Sequence, residues 1–246
     1  MLIINLIVQL VSGFTTRPKK SIRLTPPHRL MSLPNASDLW GNLGSGEIPE
    51  FPEGAVWTVL PTLKNQVNSL LKRVGSQTRD GVSVDQSKGP VFIDSSAIIE
   101  PGVHIIGPSY IGCNATLRHG AYIREFSWIC DGAMVGHCSE TKHSVLLPGA
   151  KAPHFNYVGD SILGPNVNLG AGVKLSNLRN DGKEVHTIFE GKRIGTGLRK
   201  FGAILGENCQ LGCNAVCNPG VVLGPNTMVM PNSTVTGIHP ADSKIR

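Results

Sequence analysis

The feature that most constrains this chain is an aliphatic side chain at every sixth position between residues 93 and 135. An α-helix repeats every 3.6 residues and a half-buried strand every 2, so a period of six fits neither element. It is the period of the hexapeptide repeat, which builds a β-helix. The aliphatic positions are Ile93, Ile99, Ile105, Ile111, Leu117, Ile123, Ile129 and Val135. The residues four positions after each are small or slim, namely Ala97, Val103, Ser109, Ala115, Ala121, Ser127, Ala133 and Ser139.

Such a chain turns a corner every six residues, and three sides complete a coil of 18 residues. Successive coils stack at the strand-pairing distance of roughly 4.8 Å, so residues 18 apart lie above one another. The pattern returns downstream at Leu163, Leu169, Leu175, Leu205, Leu211, Cys217, Leu223, Val229 and Val235. The sequence therefore predicts a mainly β fold, a parallel β-helix over 91–240, with a long excursion at 176–202 and a tail at 241–246.

Residues 31–90 read as irregular structure followed by one amphipathic helix. Apolar residues fall at helical spacing over about three to four turns, at Leu60, Leu63, Val67, Leu70, Leu71 and Val74. We expect this helix to cap the open end of the β-helix, where the first coil exposes unpaired backbone. The stretch 77–90 reads as a polar linker.

The first thirty residues carry an apolar run, MLIINLIVQLVS, that is too short to span a bilayer. Basic residues follow it, whereas they precede the apolar part of a secretory signal. We interpret 1–30 as a basic leader or disordered extension of a cytoplasmic protein, with organelle targeting left open. The basic residues before the first acid, Asp38, are Arg17, Lys19, Lys20, Arg23 and Arg29. The formal net charge of +6 thus leaves a nearly neutral body, which argues against a nucleic-acid surface.

The spacing of the cysteines and histidines bears on whether the chain holds a metal ion. Cys209 and Cys217 occupy inward positions of the repeat and Cys213 an outer one, and no CxxC pair is present, so we expect core packing in a reducing compartment and no metal. His119 and His137 are 18 apart, which leaves a metal-dependent β-helix enzyme as an alternative.

The six-residue spacing predicts two breaks in the repeat, 140–160 and 176–202, and function is expected where the regular coil stops. Near the first break, Arg124 and Lys142 are 18 apart and should stack on one face. Like charges about 5 Å apart repel, and an anion bound between them would relieve the repulsion. The spacing therefore favours a phosphate pocket, with two solvated side chains as the alternative.

The segments PHFNYVGDS and LGPNVNLGAGV, followed by NLRNDGKEV and GLRKFGAILGENCQLGCNAVCNPGVVLG, resemble a known family. They are similar to the acetyltransferase half of bifunctional N-acetylglucosamine-1-phosphate uridyltransferases, and most to its stand-alone and archaeal-type relatives. The resemblance covers about 91–237 and implies a left-handed parallel β-helix with hexapeptide repeats, assembled as a homotrimer with sites between subunits. No glycine-rich nucleotide motif precedes residue 91, so no uridyltransferase domain is expected here.

The resemblance also implies an activity, the acetyl-CoA-dependent N-acetylation of an amino-sugar phosphate such as glucosamine 1-phosphate, for nucleotide-sugar synthesis. It assigns the catalytic base to His154, a residue type that is largely neutral near pH 7. The implied sugar-phosphate contacts are Arg124, Lys142, Tyr157, Asn168 and Asn177. The implied coenzyme A contacts are Ala171, Cys213 and Pro231, with Arg199 and Lys200 available for the phosphates.

The shared site implied by the resemblance gives an expectation for the excursion. The excursion should reach toward another subunit rather than fold flat on its own coil. The alternative to an enzyme is a regulatory β-helix that binds a sugar phosphate without turnover.

Overall fold

The computed structural model describes residues 32–44 and 46–246, and the leader predicted for 1–30 lies outside them. Three parallel eight-stranded sheets form the sides of a β-helix, and each coil visits sheet I, then sheet II, then sheet III. Sheet I contains β2 (Val91–Ile93), β5 (Ser109–Ile111), β8 (Ser127–Ile129), β11 (Val145–Leu146), β14 (Ile162–Leu163), β19 (Ala203–Leu205), β22 (Val221–Leu223) and β25 (Ile238–His239). Sheet II contains β3 (Ile98–Ile99), β6 (Thr116–Leu117), β9 (Met134–His137), β12 (Lys151–His154), β15 (Asn168–Leu169), β20 (Gln210–Leu211), β23 (Met228–Val229) and β26 (Lys244–Ile245). Sheet III contains β1 (Ser83–Asp85), β4 (His104–Ile106), β7 (Tyr122–Ile123), β10 (Glu140–Lys142), β13 (Tyr157–Gly159), β16 (Lys174–Leu175), β21 (Val216–Cys217) and β24 (Thr234–Val235).

The repeat forms the core as predicted. Inward aliphatic side chains such as Ile105, Leu117 and Ile129 are fully buried, and so are the small residues between them. Asparagines at several corners take the left-handed backbone conformation, for example Asn114 at φ 53° and Asn166 at φ 56°, which this residue tolerates better than most. The parallel β-helix is thus confirmed, and its left-handed sense stays a prediction.

The first predicted break, 140–160, does not leave the coil. It supplies strands to all three sheets, and only the coil length changes, since Met134 pairs with Lys151, 17 residues later. Each of two corners is one residue shorter than in the regular repeat. The inward residues Thr141 and Leu146 are five positions apart instead of six, and so are Val158 and Leu163. Both shortened corners lie between sheet III and sheet I.

The second break, 176–202, is an excursion from that same III/I corner. The coil resumes in register after it, since Ile204 of β19 pairs with Ile162 of β14, the sheet I strand of the preceding coil. It carries an antiparallel hairpin of β17 (His186–Phe189) and β18 (Lys192–Gly195).

The excursion folds on its own coils, contrary to the expectation that it reaches toward another subunit. Val185 and Phe201 are fully buried, and a Cβ on Gly220 would lie 2.9 Å from Val185 Cγ1. The hairpin also contacts β25. The physical reason is that these apolar side chains find burial against the later coils of the same chain.

The N-terminal segment contains α1 (Ala36–Leu39), a 3₁₀ helix (Val56–Val59) and α2 (Leu63–Val74), and α2 confirms the predicted amphipathic helix. Its predicted position over the end of the coil is wrong. Its buried face packs on the outer face of sheet I, because the outward residues of that sheet are themselves apolar. Those residues are Tyr110, Trp128, Val145, Ile162, Ile204 and Val222.

The first coil is covered by the segment that we interpreted as a linker. Its strand β1 pairs with β4, and Val82 and Val84 pack against the core. The Arg79 guanidinium donates hydrogen bonds to three carbonyl oxygens at the first corner, those of Ala97 (2.7 Å), Asp94 (2.7 Å) and Ser95 (2.5 Å). The β-helix therefore begins before residue 91, and Arg79 supplies the capping that we expected from the helix.

The inward cysteines behave as predicted. Cys209 and Cys217 are fully buried, and burial raises the pKa of each thiol to about 12. All six cysteines are free thiols. Among the described residues, no helix is both long and apolar enough to cross a membrane.

Candidate active site

The two shortened corners place His143 directly beside Asp160. Both residues take the left-handed conformation, at φ 47° and 46°, and the Asp160 carboxylate accepts a hydrogen bond of 2.7 Å from His143 Nδ1. It accepts a second one, of 2.5 Å, from Asn177 Nδ2. Burial alone raises the pKa of Asp160, but the hydrogen bonds from His143 and Asn177 and the charge of Lys142 outweigh it, so the pKa lies below its ordinary value. Asp160 is therefore a buried carboxylate that fixes two neighbouring side chains.

His143 is left with one unused ring nitrogen. Since Nδ1 donates to Asp160, a neutral ring carries a lone pair on Nε2. This atom is buried and has no hydrogen-bond partner among the described residues. Sequence reasoning did not identify His143 or Asp160, although the five-residue spacing at these corners was a readable signal.

The predicted basic pair lies on one face. Ile123 pairs with Thr141 in adjacent parallel coils. Each is followed by a basic residue, so Arg124 and Lys142 occupy equivalent positions. Arg124 Nη1 donates a 2.8 Å hydrogen bond to Glu140. The shared face is confirmed, and the geometry shows that Arg124 already has an anionic neighbour.

Lys142 interacts more strongly with a different cation, Lys200. Burial is the main cause that lowers the pKa of Lys142, and the positive charge of Lys200 adds to it, against the opposing influence of Asp160. This half-buried like-charge pair is the kind of arrangement that an anion would stabilise.

Tyr157 and Asn177 meet above Gly159. A Cβ added to Gly159 would lie 2.6 Å from the Tyr157 hydroxyl oxygen and 2.7 Å from Asn177 Nδ2. Burial, followed by the charges of Glu140 and Asp160, raises the pKa of the Tyr157 hydroxyl. The outer face of sheet III thus presents a neutral hydroxyl and an amide next to Lys142.

A cavity of about 490 Å³ opens at the III/I corner beside these residues. We call it the cationic cavity. It is lined by Leu60, Pro61, Lys64, Lys88, Pro108, Glu125, Phe126, Lys142, His143, Asp160, Gly197, Leu198, Arg199 and Lys200. Its walls come from α2 and the residues just before it, the III/I corners of five coils and the end of the excursion.

His154 lies at the opposite edge of sheet III, at the II/III corner. It ends β12, its imidazole is exposed, and that ring makes no hydrogen bond to any described residue. Ala171, Cys213 and Pro231 occupy the same corner in later coils, where Asn214 N donates to the Ala171 carbonyl at 2.9 Å. Four predicted site residues therefore share one corner.

The structure separates Arg199 and Lys200 from that group. Both line the cationic cavity, whereas Ala171, Cys213 and Pro231 lie across sheet III. A strand advances about 3.3 Å per residue, so the two corners are on the order of 15 Å apart. The predicted coenzyme A contacts thus fall into two places.

Asn168 lies on a third surface. It belongs to β15 in sheet II, and its neighbours in register are Lys151 and Gln210. One chain therefore brings together Lys142, Tyr157 and Asn177 but not Asn168.

His119 and His137 stack as their spacing suggested, with ring centroids 5.7 Å apart and planes at 15°. His137 Nδ1 lies 2.9 Å from the His119 carbonyl oxygen. Within 32–44 and 46–246, no three His, Cys, Asp or Glu side chains are grouped so that they could hold a metal ion.

The chain is similar to several curated proteins, whereas no family model matches it. It is 36% identical over 184 residues to the bifunctional sugar-1-phosphate nucleotidylyltransferase/acetyltransferase of Sulfurisphaera tokodaii, covering 74% of this chain and 45% of that protein. It spans about half the length of the first such relatives. Among solved structures, the UDP-N-acetylglucosamine acyltransferase of Francisella novicida is 14% identical with a TM-score of 0.40, covering 65% of this chain and 60% of that one.

A relative of similar size is YaiX of Escherichia coli K12, named as an uncharacterized acetyltransferase. It is 32% identical over 173 residues, which cover 70% of this chain and 75% of YaiX. That coverage extends over most of both chains. Together with the three-sided hexapeptide coil, it shows that the chain belongs to the family of hexapeptide-repeat acyltransferases.

Proposed function

We propose that this chain is an acetyl-CoA-dependent N-acetyltransferase whose acceptor is an amino-sugar phosphate such as glucosamine 1-phosphate, for nucleotide-sugar synthesis. The observation that carries the proposal is the grouping of Lys142, Tyr157 and Asn177 on the outer face of sheet III. Two of its close relatives are named as bifunctional sugar-phosphate enzymes or acetyltransferases.

The acceptor's phosphate is assigned to Lys142 and Arg124. In the described part of the chain, the buried Asp160 is the anion that offsets the charge of Lys200 at Lys142, so a phosphate there relieves the remaining repulsion. Arg124 holds Glu140 at 2.8 Å and can offer its remaining guanidinium donors to the same anion. Tyr157 and Asn177 present a hydroxyl and an amide, the groups that bind sugar hydroxyls.

His154 is assigned the role of base. Acetyl-CoA supplies the acetyl group as a thioester. The acceptor's amine forms the new C–N bond, the C–S bond breaks, and His154 takes the proton that the nitrogen loses, while the thiolate leaves and is protonated by solvent. An exposed imidazole without a hydrogen-bond partner among the described residues is free to accept that proton.

The II/III corner fits a thioester donor beside that base. Ala171, Cys213 and Pro231 have short side chains, and the latter two are exposed, so the corner's backbone is accessible to the amides of a pantetheine arm. The phosphates of the donor are not assigned to Arg199 and Lys200, because these residues lie at the other corner.

A homotrimer would complete the site. Asn168 faces away from Tyr157 on sheet II, so it can contribute only to a site made by another copy of the chain. We therefore assign each site one copy's sheet III and a neighbour's sheet II.

The experiment that tests the function is thiol release from acetyl-CoA with glucosamine 1-phosphate as acceptor. We expect turnover by the wild type and a loss of at least about a hundredfold for His154→Ala, the contribution typical of a general base. His119→Ala is the matched control, since it removes an exposed histidine from the same corner two coils away. Equal loss in both variants would reject His154 as base. Binding of the acceptor without any wild-type turnover would instead support the regulatory β-helix.

A further inference from the structure

We propose that the cationic cavity binds the diphosphate and nucleoside of a nucleotide-linked acceptor, so that the substrate is a nucleoside diphosphate amino sugar rather than a sugar 1-phosphate. The proposal rests on the proposed function for the amino sugar. Nucleotide binding by the cavity can be measured without any acetyl transfer, so the two can fail separately.

Position is the first argument. Lys142 and Asp160 belong both to the cavity and to the sheet III group that would hold the sugar phosphate. The cavity extends from them away from Tyr157 and Asn177, over the corner and toward α2. A substituent carried on the acceptor's phosphate would therefore enter this space.

Charge is the second argument. Of the seven charged side chains that line the cavity, Glu125 is paired with Lys88 and Asp160 is bound to His143. The remaining cations are Lys64, Lys142, Arg199 and Lys200, and within the described chain none of them forms a salt bridge. They come from three different elements around the cavity, so a diphosphate, with its larger number of oxygens and charges, suits them better than a single phosphate does.

Size and shape are the third argument. A volume of about 490 Å³ lies within the range of about 300–1,000 Å³ that holds drug-sized ligands, well above the need of a phosphate. One part of the wall is apolar, with Leu60, Phe126 and Leu198. Lys64 Nζ lies 5.3 Å from the centre of the Phe126 ring, so this aromatic face borders the charged part. An apolar wall beside cations suits a flat base attached to phosphates.

The test is calorimetric titration of the full chain with UDP, GDP, ADP and inorganic pyrophosphate. We expect at least one nucleotide to bind with a Kd below about 1 mM and more tightly than pyrophosphate. Lys64→Ala and Lys200→Ala should each weaken it about tenfold, the loss expected for a charge-assisted contact. Lys72→Ala, an exposed lysine on the same helix and outside the cavity, is the matched control and should leave affinity unchanged.

Three results would overturn the proposal. One is that no nucleotide binds more tightly than pyrophosphate, and another is that both cavity variants bind as the wild type does. The third is displacement of the bound nucleotide by coenzyme A, which would assign the cavity to the acyl donor as Arg199 and Lys200 first suggested.

Activity then separates this inference from the proposed function. We expect UDP-glucosamine, or its counterpart with the base that binds best, to be acetylated with a kcat/KM at least about tenfold above that of glucosamine 1-phosphate. Preference for glucosamine 1-phosphate would overturn the inference and keep the proposed function. Nucleotide binding with no acetylation of either acceptor would reject the function and leave the cavity's ligand class intact.

Discussion

Gly159 is the residue on which the acceptor side of the site depends. The space above its Cα is taken by the Tyr157 hydroxyl and by Asn177, within 2.7 Å of where a Cβ would stand. We predict that Gly159→Ala raises the KM for the acceptor by up to about a hundredfold, because a shift of about 1 Å in a positioning group can cost that much. Steady-state kinetics with varied acceptor and fixed acetyl-CoA measures the change.

Stability is the control for that variant. Gly159 lies in β13 and has no positive φ, so alanine suits its backbone and the coil should stay folded. Gly41→Ala is the matched substitution, since its nearest neighbour would be Glu207 Oε2 at 3.6 Å. An unchanged KM in Gly159→Ala would show that Tyr157 and Asn177 do not contact the acceptor.

For individual residues, the sequence predicted which side chains share a face of the β-helix better than it predicted which side chains they contact. The spacing of 18 correctly placed Arg124 and Lys142 on one face. It could not show that Arg124 bonds to Glu140 or that Lys142 meets Lys200, because Lys200 returns from an excursion whose path no repeat dictates. His143 was missed because a one-residue change in spacing was interpreted as a break in the coil.

Arg79 determines how the β-helix begins. Its guanidinium satisfies three carbonyl groups at the first corner, at 2.5–2.7 Å. We predict that Arg79→Ala lowers the free energy of unfolding by about 1–3 kcal/mol, since hydrogen bonds from a charged donor are lost. Urea unfolding followed by circular dichroism measures it, with Lys72→Ala as an exposed control. A loss no greater than that of the control would mean that solvent replaces Arg79 at those carbonyls.

The helix α2 shows which part of the packing the sequence predicts and which part it does not. Helical spacing found α2, and its buried positions Leu63, Val67 and Leu70 were among those predicted. Periodicity tells which face of a helix is buried but not which surface buries it. The surface that buries α2 could be recognised from the outward residues of sheet I. Each of these, such as Tyr110 and Trp128, comes one position before an inward residue and is apolar.

Sharing of the site between copies is a property of the whole molecule. We predict that His154→Ala and Asn168→Ala are each inactive, and that mixing and reassembling the two in equal amounts restores activity. In a closed ring each site combines one copy's His154 with a neighbour's Asn168, so about a quarter of the sites should have both. Thiol release after refolding of the mixture measures the recovery.

The mixture of the two variants should stay inactive if each site is formed within a single copy of the chain. No recovery, with a scattering mass equal to that of the wild type, would show that Asn168 and His154 act within one copy. Reassembled wild type supplies the reference for losses during refolding.

The excursion leaves the coil at one corner, and the coil then resumes in register, with β19 paired to the sheet I strand of the preceding coil. The part of the excursion beyond its buried residues, such as Val185 and Phe201, is therefore separable from the scaffold. A family built this way can lengthen, shorten or exchange that segment while the ladder of hydrogen bonds stays in register. Evolution could then change which acceptor is chosen without having to restabilise the fold, and an engineer could do the same by transplanting the segment from one relative to another.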